Sequence, residues 1–216
     1  MRIKESLYRD WQSLVCSLAV TKDVADLAWL DVVARYEEDG RYYHNLTHIY
    51  HVLETIKMIC GEGETAVLLA AWFHDVIYNP RAHNNEKQSA KYASQLLKKW
   101  QQPSKLINKV GLLILATEKH IPFNPTNTDC LRLLDADLEI LGAKPTRYQL
   151  YSLGIRQEYS FVPEAKYRKE RSKVLQTFLS RPRIYYTELM HAKFHAASSR
   201  NLHWELEKLS DPHSSY

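Results

Sequence analysis

Three short segments hold the residue types that do chemistry, and each sets them beside apolar sequence. The first is Ala70-Ala71-Trp72-Phe73-His74-Asp75-Val76-Ile77-Tyr78-Asn79-Pro80, where an imidazole and a carboxylate follow an apolar run and precede a proline. Ionisable side chains at the end of a buried helix cost free energy unless a partner uses them. A divalent metal is the simplest partner, because it accepts both neutral imidazole and ionised carboxylate. The second segment, Arg41-Tyr42-Tyr43-His44-Asn45-Leu46-Thr47-His48-Ile49-Tyr50-His51, carries His44 and His48 four residues apart and His51 three further on. On a helix, residues four apart share a face, one turn from each other. By itself the segment reads equally as hydrogen-bonded histidines at a helix start or as a source of metal ligands. The third segment, Leu133-Leu134-Asp135-Ala136-Asp137-Leu138-Glu139-Ile140-Leu141-Gly142, sets Asp137 inside an otherwise apolar helix. Asp135 and Asp137 lie about 200° apart on a helical wheel, so at most one of them faces a site. The other reading of both is capping or ion pairing near a helix start at Asp129.

The elements that must position these groups are helices. Apolar residues recur at three- and four-residue spacing along most of the chain, so the sequence predicts an all-α fold. Helices are expected over 6–20, 23–38, 45–60, 64–78, 84–99, 103–120, 129–141, 144–161, 164–180 and 186–209. Val24, Leu27, Leu30, Val33 and Ala34 are the expected inward face of the second helix. Gly61 and Gly63 should close the third. The fourth is apolar on nearly all sides, which predicts a central helix packed all round. Asn85 with Gln88 resembles a capping box at the start of the fifth. The tail 210–216 is polar and expected to fray. With 216 residues and no repeat or linker, the chain should form a single domain over 1–216. Its metal-site core would span about 41–142, with helices over 144–209 packing on it.

Composition excludes several classes of partner. The formal charge is +4 with acids and bases interspersed, so no nucleic-acid partner is expected. The apolar stretches are too short and interrupted to span a membrane, and the first residues lack the apolar run of a signal peptide. Cys16, Cys60 and Cys130 read as the reduced thiols of a cytoplasmic protein. The aromatic-rich final helices could pack within the chain or form a homodimer.

The order of the three motifs resembles the HD superfamily of predicted metal-dependent phosphohydrolases. More narrowly, it is similar to the branch with a Tyr-His-Asn-Leu-Thr-His first motif, an Ala-Ala-Trp-Phe-His-Asp second motif and a Leu-Asp-Ala-Asp-Leu-Glu-Ile-Leu-Gly last motif. The likeness runs from about residue 29 to 206, through Asn85-Glu86-Lys87-Gln88-Ser89-Ala90, Ala116-Thr117-Glu118-Lys119-His120 and Ile155-Arg156-Gln157-Glu158-Tyr159. It implies an HD-domain helical bundle with a metal site at its centre, held by His48, His74, Asp75 and Asp137. His48 is preferred to His44 because the aliphatic face of Ile49, Val52 and Leu53 follows it, as in the family; His44 is then a substrate-side group. Two imidazoles and two carboxylates independently suit Mn, Fe, Co, Ni or Zn and not a calcium cage of oxygens. One ion is the default. Some members hold two, with the aspartate of the His-Asp pair bridging, and here His120 or His83 would serve the second. The alternative for His120 is a histidine favoured by the dipole at a helix C-terminus.

The implied activity is hydrolysis of a small phosphorylated molecule, a nucleotide by family analogy, through metal-activated water. Glu86, His44 and Asp75 are the expected catalytic groups. For Glu86 the roles are general base or water orientation, against a purely structural carboxylate at a helix start. Arg41, His120, Arg156 and Tyr159 are the substrate-binding candidates, ahead of Lys119, Arg168 and Arg171. The other readings are a catalytically silent metal- and nucleotide-binding sensor and a di-iron oxygenase of the HD fold.

Overall fold

Asn45 starts the helix that carries His48. Its side chain accepts from the Thr47 N–H at 2.9 Å, which satisfies one of the donors a helix start leaves unpaired. The computed structural model describes residues 2–61 and 64–211. Among them are ten α-helices, one 3-10 helix and no strand. They are α1 (Arg2–Ser17), α2 (Lys22–Tyr36), α3 (Leu46–Cys60), α4 (Thr65–Phe73), α5 (Asn85–Lys99), α6 (Ser104–Ala116) and α7 (Thr128–Asp137), then the 3-10 helix Leu138–Gly142, α8 (Pro145–Glu158), α9 (Glu164–Leu179) and α10 (Glu188–Ser210). Gly61 follows α3 at φ 71°, a conformation open to a residue without Cβ, and its N–H bonds the Lys57 carbonyl. Asn127 caps α7 by accepting from the Cys130 N–H at 2.9 Å. Pro145 opens α8, where its missing N–H costs nothing.

Two apolar cores result. The first gathers α1 to α7 around α4, which buries Ala66, Val67 and every residue from Leu69 to Phe73. Trp11 anchors it, with its ring 5.4 Å from Trp72, 5.9 Å from Trp100 and 6.2 Å from Trp29. Tilted and edge-on aromatic pairs of this kind add about 0.5–1.5 kcal/mol each beyond area burial. The second core gathers the 3-10 helix and α8 to α10 around Tyr148, Leu175, Tyr185 and Leu202. Asp137, the last residue of α7, stands where the chain passes from the first core to the second.

Several expected details are corrected. On α2, Val24, Leu27 and Leu30 are exposed at 44%, 69% and 63%, and Ala34 is exposed too. Ala25, Ala28, Trp29, Val32, Val33 and Tyr36 face the core instead. The helix is apolar on two stripes, and the one carrying Trp29 and Tyr36 buries more area. α4 ends at Phe73 and α6 at Ala116, earlier than periodicity suggests, because the residues that follow turn toward the site. α7 tightens into a 3-10 helix after Asp137. Asn85 does not cap α5. It brackets Asn79, accepting from its N–H and donating to its carbonyl, both at 3.0 Å. Gly63 as a helix stop, and the fraying of 212–216, lie outside the described residues.

The 3-10 helix packs closely on α10. Asn201 donates to the carbonyls of Leu141 and Ala143, both at 2.8 Å. A Cβ on Gly142 would meet the Phe194 Cβ at 2.6 Å and the Phe194 carbonyl at 2.9 Å. Gly142→Ala is therefore expected to destabilise the fold by about 1–3 kcal/mol. Gly111→Ala, in open space within α6, should stabilise it by roughly 0.5–1 kcal/mol. Thermal denaturation of the two variants checks the order; equal melting temperatures would remove the close approach at Gly142.

Candidate metal centre

His48 on α3 and His74, the residue that ends α4, are 4% and 1% exposed. The His74 Nδ1 lies 2.9 Å from the Ala71 carbonyl, which can only accept, so Nδ1 carries the proton and Nε2 is left facing the site. The Nε2 atoms of His48 and His74 are 3.1 Å apart. Asp75 Oδ2 stands 3.1 Å from His74 Nε2 and 3.6 Å from His48 Nε2. Asp137 Oδ1 stands 3.2 Å from His48 Nε2 and 3.4 Å from His74 Nε2. The donor atoms of His48, His74 and Asp75 all lie within 4.8 Å of one another, so these three could hold a metal ion.

The spacing fits that use. Nitrogen and oxygen ligands sit about 2.0–2.2 Å from a zinc-sized ion, so neighbouring ligand atoms fall roughly 3–3.5 Å apart. The charges fit as well. Burial opposes a proton on His74, but Asp75 and then Asp137 outweigh it and raise its pKa well above the ordinary value. Burial is the largest influence on His48 and holds its pKa low against the pull of Asp137. Burial also opposes ionisation of Asp75 and Asp137, yet His74 holds both below the usual carboxylate range. The cluster requires positive charge at its centre. A protonated His74 meets that need, and a divalent cation would meet it more fully.

The backbone around the pair is fixed by groups that periodicity does not reveal. Arg41 is 9% exposed and does not line the pocket mouth. Its Nη1 donates to the carbonyls of His44 at 3.1 Å and Asp75 at 2.7 Å, and its Nη2 to that of Val76 at 3.1 Å. One guanidinium thus ties the first motif to the His-Asp turn and satisfies carbonyls freed where α4 stops. Ser89 accepts from the Ile77 N–H at 3.1 Å and donates to its carbonyl at 3.2 Å. Asp135 points away from Asp137, as their angular separation requires, and accepts the N–H groups of Tyr186 and Thr187, both at 2.7 Å.

Beside the cluster lies a pair that sequence reasoning missed. Glu158 is 4% exposed and accepts from the N–H groups of Tyr43 at 2.8 Å and His44 at 2.9 Å, His44 Nδ1 at 2.6 Å and the Tyr78 hydroxyl at 2.9 Å. Its partner is 114 residues away, and only its place in an aromatic helix end could have hinted at the role. Burial opposes both charges. Glu158 and Asp75 still raise the His44 pKa, and His44 lowers that of Glu158. His120 also turns toward the site. It lies beyond α6 at φ 49°, with its carbonyl held by Arg181 at 3.0 Å and by the Tyr186 hydroxyl at 2.9 Å. Its Nε2 reaches Asp137 Oδ2 at 3.0 Å. This contact, and not a helix dipole, accounts for the residue, and the strained φ is held from both sides.

A cavity of about 1140 Å³ opens over this floor. His44, Asp75, Glu86, His120, Asp137 and Tyr159 line it, as does His83. Arg156 does not: it bonds Glu164 at 3.0 Å and the Tyr159 carbonyl at 2.8 Å, with its guanidinium over the Tyr167 ring. The cations on the cavity wall are Arg81, Lys119, Lys166, Arg171 and Arg181. No helix among the described residues is long and apolar enough to cross a membrane.

The His44–Glu158 pair links stability to pH. The lowered Glu158 contributes above its unfolded pKa of about 4.3 and loses that contribution as pH falls through its folded value. The raised His44 contributes fully below about 6.5 and loses its share as pH rises through its folded value. Glu158→Gln should lower the His44 pKa in an NMR titration and cost about 1.5–3 kcal/mol near pH 6. An unchanged His44 titration would contradict the pairing. Compared with known proteins, the chain matches no family model, no curated protein and no solved structure.

Proposed function

We propose that this protein is a metal-dependent phosphohydrolase of the HD type, acting on a small phosphorylated molecule. The observation that carries the reading is a pair of imidazole Nε2 atoms 3.1 Å apart, each with an oxygen of Asp75 and of Asp137 at 3.1–3.6 Å, where the two carboxylates line a cavity that also holds basic side chains. His48, His74, Asp75 and Asp137 would hold the ion. A bound divalent transition metal supplies Lewis acidity and a water whose pKa is brought near neutrality.

The chain's own residues supply the rest. Glu158 holds His44 by Nδ1 and favours its protonated form, which leaves Nε2 to donate to a phosphoryl or leaving-group oxygen. Glu86, on the same cavity, is the group assigned to take a proton from the attacking water. Lys119 and Arg181 on the wall meet the charge that develops on phosphate. The cavity volume and its aromatic wall support an organic substrate of nucleotide size. The contact between His120 and Asp137 Oδ2 also favours a two-ion variant, in which His120 serves the second ion.

Metal analysis of untagged protein should find one equivalent of a transition metal, or two in the second variant. Phosphate release from a panel of nucleotides and sugar phosphates should fall by about 100-fold or more in His74→Ala and Asp137→Ala, the scale of losing a preorganised charge. If both variants bind metal as well as the parent, the ligand assignment is wrong. Bound metal without phosphate release from any compound turns the reading to a sensor. Di-iron absorption with oxygen uptake turns it to an oxygenase.

A further inference from the structure

The wall of the cavity on α8 and α9 holds a built pair of donors that the hydrolytic chemistry above does not use. Arg171 lines the cavity, yet its side chain is only 9% exposed, and its partner Glu205 is 0% exposed. Nε donates to Glu205 Oε1 at 2.8 Å; Nη2 donates to Glu205 Oε2 at 3.2 Å and to the Tyr151 hydroxyl at 3.0 Å. A guanidinium has five N–H donors, and these bonds use the three on Nε and Nη2. Nη1 makes no hydrogen bond among the described residues and is not one of the buried unpartnered atoms, so its two donors remain for a ligand in the cavity that Arg171 lines.

Tyr151 adds a donor to the same place. Its hydroxyl accepts from Arg171, so its own proton is left to give, and no described residue accepts it. Tyr151 also lines the cavity. Burial is the largest of the influences that raise its pKa, which keeps the phenol protonated and able to donate. Tyr148 donates to Glu205 from the other side and draws off part of the carboxylate's charge. Lys166, which makes no ion pair among the described residues, stands on the same wall. The station is tied to the metal cluster through a chain of ring contacts: Tyr151 meets Tyr43 edge-on at 4.6 Å, and Tyr43 lies tilted 4.9 Å from His48. It is nevertheless a separate place, since Tyr151 and Arg171 line the cavity and the imidazoles of His48 and His74 do not.

We propose that Tyr151 and Arg171 form a second oxyanion-binding station, which takes a phosphate group of the substrate other than the one that meets His48, His74 and Asp75. The phenol proton and the two Nη1 donors offer three hydrogen bonds to phosphate oxygens, with a fixed guanidinium behind them. The substrate class this selects is a molecule with two phosphate groups, or a phosphate chain, in place of a simple monoester. That this phosphate is a second one rests on the hydrolase reading; the station itself does not.

The test is a calorimetric titration of inorganic pyrophosphate into the full-length, untagged protein, both stripped by chelator and reloaded with metal. The stripped parent is expected to bind it, with Tyr151→Phe weaker by about 10-fold, the scale of a hydrogen bond to a charged group. Arg171→Gln alone would strand Glu205, so the cation is removed in the double variant Arg171→Gln with Glu205→Gln, expected to lose about 100-fold. Equal affinity of the parent and both variants overturns the station. Malonate should bind at least 10-fold more weakly than pyrophosphate; malonate binding as well or better overturns the assignment to phosphate. Tyr151→Phe that loses metal affinity but keeps pyrophosphate affinity makes Tyr151 only a support for Tyr43 and His48, and also overturns it. A metal-loaded parent that binds pyrophosphate and releases phosphate from nothing sinks the hydrolase reading and leaves the station standing.

Discussion

Two imidazole nitrogens 3.1 Å apart inside a protein, with a carboxylate on either side, are the constraint to which the rest of this structure answers. Bare lone pairs cannot face one another at that distance, so a proton or a cation must lie between them. Either charge is costly to bury without compensation. Asp75 and Asp137 provide the compensation, and their depressed pKa values are the same interaction seen from the acid side. A site built in this way binds positive charge whether or not it turns anything over.

Holding four such groups requires a scaffold with little freedom. α4 supplies it by being apolar on all sides and stopping just before His74. The stop frees carbonyls, and Arg41 collects two of them together with that of His44. An arginine expected to meet phosphate is thus committed to backbone, because its five fixed donors match converging carbonyls better than a lysine would. The remaining carboxylate, Asp137, comes from α7, at the point where the chain leaves one core for the other. The cavity lies at that seam, and so residues of α8 and α9 form its far wall.

The same logic appears in the two buried ion pairs beside the cavity. Glu158 is surrounded by four donors and sets the charge of His44. Glu205 holds Arg171 while leaving Nη1 uncommitted. In each pair the carboxylate is buried and the cationic partner lines the cavity. Such an arrangement presents preorganised donors to a ligand without leaving an uncompensated charge inside.

What the sequence determined by itself was the part carried by short-range pattern. The three- and four-residue periodicity specified an all-helical chain, and the apolar setting of His74-Asp75, His48 and Asp137 marked them as groups in need of a partner. The angular separation of Asp135 and Asp137 required only one of them to face the site, and Asp137 does. Tertiary structure decided everything that depends on which surfaces meet. It chose the Trp29 stripe of α2 over the Leu27 stripe, since both are equally helical and only docking on α1 and α4 distinguishes them. It turned His120 through a positive φ onto Asp137, drew Asn85 from a cap to a brace on Asn79, and joined Glu158 to His44. Each of these is a hydrogen bond or ion pair whose partner lies beyond the reach of helical periodicity. The physical reason is common to all: a helix constrains residues within a turn or two, whereas a buried polar group is satisfied by whatever the packing of distant elements brings to it.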